Sequence, residues 1–539
     1  MTTNRHINDL CSWRRVVNIL LFVCVAAWSS STFAINVEKW KQYRVEFNNP
    51  SWSGNPFDLE FTAVFKHTAS GKTLRQFGFY AENNTWKIYF MPDQEGEWTY
   101  TTFSTDPELN NKTGSFNCIK SNLKGKLVSA GNRWQYENGE SAFPIVSSSL
   151  AYLRGTTLNG GIRTFIDWLD QSGINLLHPG QLFYFKTTDV NVGGPDSLPY
   201  KVNQHPVTFN MTFWDRMNSH FDYLRDKNMG HYIMFYSDDS HSPLLGGIKE
   251  GSNGTISAIE ERLFKYTIAR FGAYPMVVWD SGIDISEYRS NTWIDNFVAW
   301  MRANDPWEHP VSSRSGGGSG GKQSSIATYW SDGVGTMPGY DTFYKRWNSR
   351  SVPTMFTDRF REDGSRGNFN RTKIREAVWQ NMLTGATGLI ISANNNAGYL
   401  GADYKTDFKA APEVGYAQQF FKSTIINKGG LTPQQALVDN TSFNWCSAVN
   451  GLEYVVYMRP GNNGTVNLNL SNANGPMNAF WYDPTDGSTN SINGIVGGNT
   501  VQLDHPGSNS LGNNDWVLYV TTGTGNDTIP PETPILDVK

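Results

Sequence analysis

Two stretches of this chain set carboxylates at the end of short apolar runs. In Tyr274 to Tyr288, YPMVVWDSGIDISEY, the run Met276, Val277, Val278, Trp279 is followed at once by Asp280, Asp284 and Glu287. In VPTMFTDRFRED a second run ends in Asp358, with Arg359, Arg361, Glu362 and Asp363 behind it. A continuous apolar run suits a parallel strand covered on both faces, and the C-terminal ends of such strands are where an α/β barrel keeps its chemistry. Two carboxyl groups facing each other across a pocket can hydrolyse a glycosidic bond: one protonates the leaving oxygen while the other attacks carbon or activates water. The plain alternatives are solvated loop acids and an ion pair from Asp358 to Arg359 or Arg361.

Other polar residues end neighbouring runs. His178 closes LLHPG, Asp238 and Asp239 lie in FYSDDSHS, and Tyr329, Trp330 and Asp332 lie in TYWSD. His178, Asp238, Asp239, Asp280 and Glu362 are placed to hydrogen bond sugar hydroxyls. Trp279, Tyr329 and Trp330 are candidate stacking surfaces, although rim or core aromatics fit the same pattern. The sequence has no HExxH or paired-cysteine signature, so neither a metal nor another cofactor is expected. Gly316 to Lys322, GGGSGGK, nearly matches a phosphate-binding loop but is followed by Gln323 where Ser or Thr should reach magnesium. A glycine-rich loop beside a cleft accounts for it better.

The elements that must position these groups alternate. Strands are expected at Phe143 to Ser149, Ile174 to His178, His231 to Tyr236, Met276 to Asp280, Pro310 to Ser313, Ile326 to Trp330, Pro353 to Asp358 and Gly388 to Ser392. Amphipathic helices lie between most of them, except in the fifth unit, where SSRSGGGSGGKQSS replaces a helix. Eight such units over 128–430 predict a (β/α)8 TIM barrel, with strands four and seven across the pocket from each other. Before it, 35–127 shows short alternating runs broken by turns, and 431–524 shows the same again, so a β-sandwich is expected on each side. Residues 525–539, rich in proline, read as a linker or tail.

Residues 1–34, with Arg14 and Arg15 before the apolar run Val16 to Trp28 and small residues to Ala34, have the layout of a secretory signal peptide. A periplasmic or extracellular location is therefore expected, with no membrane span in the mature chain. Cys118 and Cys446 then remain, far apart and read as structural thiols rather than a disulfide. The formal net charge of -4 provides no basic field for nucleic acid. The load of 19 Trp, 24 Tyr and 31 Phe suits a core and also carbohydrate surfaces. An oligosaccharide or polysaccharide is the expected partner; oligomeric state is not legible.

On these residues the chain resembles a secreted glycoside hydrolase of the clan-A type. YTIARFGAYPMVVWDSGID resembles the fourth-strand signature of apiosidase-like barrels, and IREAVWQNMLTGATGLIIS resembles their last helix and strand. NPF followed by GFYAENNTWKIYFMPDQEGEWTY resembles the β-sandwich domain of unknown function 5060 that precedes such barrels. The resemblance implies a retaining glycosidase with Asp284 as acid/base and Asp358 as nucleophile. At both positions the family carries glutamate, so Asp280, Glu287 and Glu362 stand as reserves. Among families of this domain order, glycoside hydrolase family 167, with its β-carrageenases, is the nearest resemblance, implying galactosidic linkages in red-algal galactan (β-carrageenan or related oligosaccharides). The alternative is a non-catalytic carbohydrate-binding protein on a degenerate barrel.

Overall fold

The structure, a computed structural model, describes residues 35–148, 160–178, 199–201, 208–236, 248–282, 285–313, 323–332, 339–362, 369–385, 388–392, 403–425 and 430–523. Its centre is an eight-stranded parallel sheet. The strands are β1 (Ile145–Ser148), β2 (Leu176–His178), β3 (Gly230–Tyr236), β4 (Val277–Gly282), β5 (Val311–Ser312), β6 (Trp330–Asp332), β7 (Thr354–Arg361) and β8 (Gly388–Ser392). Their order is β5-β4-β3-β2-β1-β8-β7-β6, a (β/α)8 barrel whose seam lies between β5 and β6. The seam is stitched rather than laddered. Thr328 donates its N–H to the Val311 carbonyl (2.9 Å), and its Oγ1 accepts the Val311 N–H (2.8 Å). Gln323 Oε1 accepts from both Ser312 Oγ (3.2 Å) and the Ser331 N–H (3.3 Å).

The helices used below are α1 (Gly161–Gln171), α2 (Met211–Asp226), α3 (Ala258–Thr267), α4 (Asn291–Asn304), α5 (Tyr340–Ser349), α6 (Arg371–Leu383) and α7 (Ala411–Ser423). Some of their starts are set locally. Ser257 caps α3 through a reciprocal capping box with Glu260, and Ser290 caps α4 by accepting the Trp293 N–H. The sixth strand departs from the expected Ile326 to Trp330. Residues 324–327 close in a turn, with the Ala327 N–H on the Ser324 carbonyl (3.2 Å), so pairing with β7 starts only at Trp330.

A β-hairpin, Leu127–Ala130 paired with Arg133–Tyr136, separates the first sandwich from the barrel and was not anticipated as a separate element. It plugs the barrel floor. Leu127, Trp134 and Tyr136 belong to one buried cluster with Val146, Leu176, Tyr232, Met234, Val278, Tyr329, Met355 and Ile390, the inward side chains of the strands. Trp134 donates its indole N–H to the Thr354 carbonyl (3.3 Å), and Ser129 Oγ donates to the Thr328 carbonyl (2.6 Å).

The N-terminal sandwich sets a five-stranded sheet spanning 36–119 against a three-stranded one, with Phe65 stacked on Phe90 (3.8 Å between centroids) and Tyr43 on Phe116 (4.3 Å). It docks on the α3 side of the barrel: the Tyr266 hydroxyl donates to the Tyr80 carbonyl (3.0 Å), and the Trp307 indole donates to the Met91 carbonyl (2.8 Å). The C-terminal domain has a six-stranded sheet and a two-stranded one between Thr432 and Thr521. Cys118 and Cys446 are buried thiols, one in each sandwich and not joined in a disulfide, and burial pushes the Cys118 thiol up to about 12. No helix among the described residues is long and apolar enough to cross a membrane.

Candidate active site

Strand alternation decides which side chains reach the mouth. Tyr232, Val278, Tyr329 and Met355 face the barrel axis, so the residues two further on, Asp280, Ser331 and Thr357, do as well. At the heart of this layer, Asp280 is fully buried and accepts the Tyr232 hydroxyl (2.5 Å) and the Tyr329 hydroxyl (3.1 Å) on Oδ2, and the Gly282 N–H (3.2 Å) on Oδ1. Burial, with Asp280 alongside, holds the Tyr329 hydroxyl well above its usual range, so it remains a donor. His178, at the end of β2, lies edge-on to Tyr232 (5.7 Å) with Nδ1 at 3.2 Å from the Tyr232 carbonyl. A carbonyl only accepts, so Nδ1 carries a proton. Ser331 Oγ and Thr357 Oγ1 lie 3.4 Å apart on adjoining strands.

The structure brings His178, Asp280 and Tyr329 into this layer and turns Trp279, Trp330 and Glu362 away. Trp279 faces outward, wholly buried, its indole N–H on Asp305 Oδ2 (2.8 Å). Trp330 also faces outward, under the Arg350 guanidinium (4.3 Å from its ring centroid), while Arg350 bonds Asp332 (3.2 Å). Tyr329 is 0% exposed, which makes it a ligand of Asp280 rather than an open stacking surface. The common cause is the two-residue period, which sends Trp279 and Trp330 to the face opposite Asp280 and Tyr329.

Glu362, just past β7, is turned toward the start of α7, where it accepts the Ala410 N–H (2.8 Å). It shares the parity of Phe360, which packs outside the barrel against Phe369. Burial raises its carboxyl to about 7, against the lowering effect of the Ala410 amide. A folded pKa above the unfolded value means the fold holds a proton that the unfolded chain has released. Stability should therefore fall as pH rises from about 4.5 to about 7 and level off above. Glu362→Gln is expected to flatten that part of the curve, read as the difference in thermal midpoint between pH 5 and pH 8 for the two proteins.

Asp284, Asp238 and Asp239 lie outside the described residues, and of Asp358 only the backbone is described. The feet of the segment carrying Asp284 are nonetheless well fixed. At one foot, Gly282 has φ +150° and passes so close to β3 that a Cβ would lie 2.5 Å from the Tyr236 carbonyl oxygen. Gly282→Ala is expected to cost about 1–3 kcal/mol of stability through backbone strain alone, with the clash adding to it, measured by urea unfolding. At the other foot, Ser290 donates to Glu250 through its N–H (3.1 Å) and its hydroxyl (2.8 Å). Arg289 donates to the Ile248 carbonyl (3.0 Å) and to buried Glu260 (3.2 Å). Glu287, between the feet, is exposed.

Asp358 sits where β7 is irregular: pairing passes from Phe356 opposite Leu389 to Phe360 opposite Ile391, so four steps along β7 face two along β8. Such a bulge bends a strand and re-aims its side chains beside active sites. At the opposite, N-terminal end of the barrel a cleft of about 850 Å³ opens, lined among others by Lys124, Glu140, Asn175, Asn228 and Gln418. None of the expected site residues that are described lines it. Two features of the site escaped the sequence reading. Tyr232 could have been found, two residues before the inward Met234; the Arg289–Glu260 pair has no local signal.

Residues 36–105 match the family described as "Domain of unknown function (DUF5060)", and residues 432–521 match the "Putative collagen-binding domain of a collagenase". The structure is similar to that of a "putative glycoside hydrolase" from Bacteroides vulgatus ATCC 8482, at 16% identity and a TM-score of 0.70 over 90% of this chain and 99% of that one. It is also similar to a glycoside hydrolase family 5 structure from the same strain (16% identity, TM-score 0.58, 77% of this chain and 97% of that one). A further structure, described as a glycoside hydrolase, has 14% identity and a TM-score of 0.53 over 75% of this chain and 98% of that one. At these identities the likeness establishes the shared fold. No curated protein matches the chain by sequence.

Proposed function

We propose that this chain is an exported glycoside hydrolase that works with retention through Asp358 as nucleophile and Asp284 as acid/base. The observation that carries the reading is the convergence of carboxylate-bearing strands β4 and β7 on one polar barrel mouth, with Asp280 and His178 beside them. The similar structures described as glycoside hydrolases support it. The Asp358 carboxylate attacks the anomeric carbon as Asp284 gives its proton to the departing glycosidic oxygen, leaving a glycosyl ester on Asp358. Water, deprotonated by Asp284, then attacks the same carbon and frees Asp358. Retention calls for the two carboxyl groups to stand about 5–5.5 Å apart. His178, Asp238 and Asp239 serve in this reading to bind and orient sugar hydroxyls, above Asp280, which is wholly buried and held by the Tyr232 and Tyr329 hydroxyls. The substrate class, galactosidic linkages in red-algal galactans such as β-carrageenan, rests on the resemblance of the sequence to family 167.

Incubation with a panel of neutral and sulfated red-algal galactans, followed by chromatography and proton NMR of the nascent anomer, tests all three levels. Reducing ends released with the anomeric configuration retained are expected. Inversion would remove the nucleophile role of Asp358, and release only from other glycans would remove the galactan. Binding without release would favour a carbohydrate-binding protein on a degenerate barrel, a reading motivated by aspartate at both positions where the resembling family has glutamate.

A further inference from the structure

The C-terminal domain reaches the barrel through a fully buried chain of charge. Arg375 of α6 grips Asp515 of that domain with two hydrogen bonds, Nε to Oδ2 (2.7 Å) and Nη2 to Oδ1 (2.9 Å), and donates from Nη1 to Glu413 of α7 (3.0 Å). All three side chains are 0% exposed. Asp515 is held on its own side by the Tyr457 hydroxyl (2.9 Å) and by Asn509 Nδ2 (2.9 Å). Glu413 is also bonded by Arg371. Because Glu413 lies in the first turn of α7, this clamp fixes the start of that helix, and the Ala410 N–H there is what Glu362 binds at the end of β7. The groups facing Glu362 are that amide, Glu413, Arg371 and Lys409.

We propose that the C-terminal domain is a positioning element of the active site, holding the end of β7, and with it Asp358, through Asp515, Arg375, Glu413 and Glu362. The inference rests on the reading of β7 as the strand that carries the nucleophile. Packing alone would have sufficed to attach the domain: Trp379 stacks on Tyr457 at 5.8 Å, and Tyr482 donates to the Tyr416 carbonyl at 2.9 Å. The chain of contacts instead runs past that interface, through the Ala410 N–H, to the end of β7, whose pairing alone among the described residues is bulged. A buried charge pair is costly to desolvate and contributes little net stability, so its geometric role outweighs its energetic one. Arg375 is the hub: its planar fork fixes two carboxylates from different domains in one orientation, which a point charge would not.

The test uses the full chain carrying Asp515→Asn, Glu362→Gln, both together, or Tyr457→Phe, the last removing a single hydroxyl and so serving as the milder variant if the first fails to fold. Two readouts are taken: kcat and KM on β-carrageenan oligosaccharides across pH, and hydrogen exchange of the ligand-free protein. Asp515→Asn is expected to lower kcat about tenfold with KM within twofold, and Tyr457→Phe about threefold. The double variant should be no slower than the worse single variant, as for one shared path. Glu362→Gln should also alter the pH profile near neutrality. In exchange, the amides of 359–362 should open faster in Asp515→Asn while those of β4 are unchanged. An active wild type whose variants differ only in melting temperature would overturn the inference. A wild type inactive on every glycan, with the exchange coupling present, would instead remove the functional reading and leave the mechanical link standing.

Discussion

Asp358→Asn is expected to lower kcat by about 10⁴-fold on an unactivated glycoside, because the amide is too poor a nucleophile to form the covalent intermediate. Asp284→Asn should cost about 10²–10⁴-fold on the same substrate, the usual worth of a general acid. The two variants separate on an aryl glycoside with a good leaving group. There, departure needs no proton, so Asp284→Asn should keep a fast first step and stall afterwards, visible as a burst, whereas Asp358→Asn stays dead throughout. Azide sharpens the distinction by entering the space left in Asp284→Ala, restoring turnover and giving a glycosyl azide of retained configuration. An Asp358→Asn protein with more than a tenth of wild-type kcat would exclude Asp358 as nucleophile. Asp280 would be next in line, because Glu362 is turned toward α7.

Arg375→Met should be the most damaging change to stability outside the site. The substitution keeps an apolar stem of similar length but leaves Asp515 without its cation and Glu413 with Arg371 alone, both carboxylates being 0% exposed. Breaking one member of such a buried network costs about 3–5 kcal/mol. For a domain of this size the same cost appears as a fall of about 10 °C in melting temperature, followed by tryptophan fluorescence. The sign of its pH dependence is fixed by the carboxylates. Burial already raises the Glu413 pKa, with Arg371 and Arg375 pulling it down, so removing Arg375 lets it rise further. Glu413 can then relieve the defect by taking a proton, and the loss should be smaller at pH 5 than at pH 8. An equal loss at both would mean that shape, not charge, is what Arg375 supplies.

The barrel was legible because parallel strands buried on both faces leave unbroken apolar runs, as in Met276 to Trp279 and in the stretch ending at Tyr236. That Asp280 shares a side with Val278, two residues before it, follows from alternation along the strand, which is local information. Alternation does not say which of its two faces points inward. That is why Trp279 and Trp330 were expected at the pocket and instead lie outside it, against Asp305 and Arg350. The hairpin at 127–136 straddles the expected boundary between 35–127 and 128–430 and is not anticipated as an element, because short alternating runs do not say what they pack on; only the barrel floor beneath Tyr329 gives Trp134 its place. The chain of charge from Asp515 to Glu413 was not legible at all. Arg375 lies 140 residues from Asp515 and 38 from Glu413, and the three share no local pattern.

That hairpin has a consequence for how the molecule can be made or cut. It precedes all eight strands in the sequence, so during synthesis the stopper leaves the ribosome before any wall of the vessel exists, and the barrel has to assemble around it. A recombinant barrel begun at residue 137 would expose the undersides of Tyr232, Tyr329 and Met355 to water. The natural cut for separating the first sandwich therefore falls upstream of Leu127, with the hairpin travelling as part of the barrel.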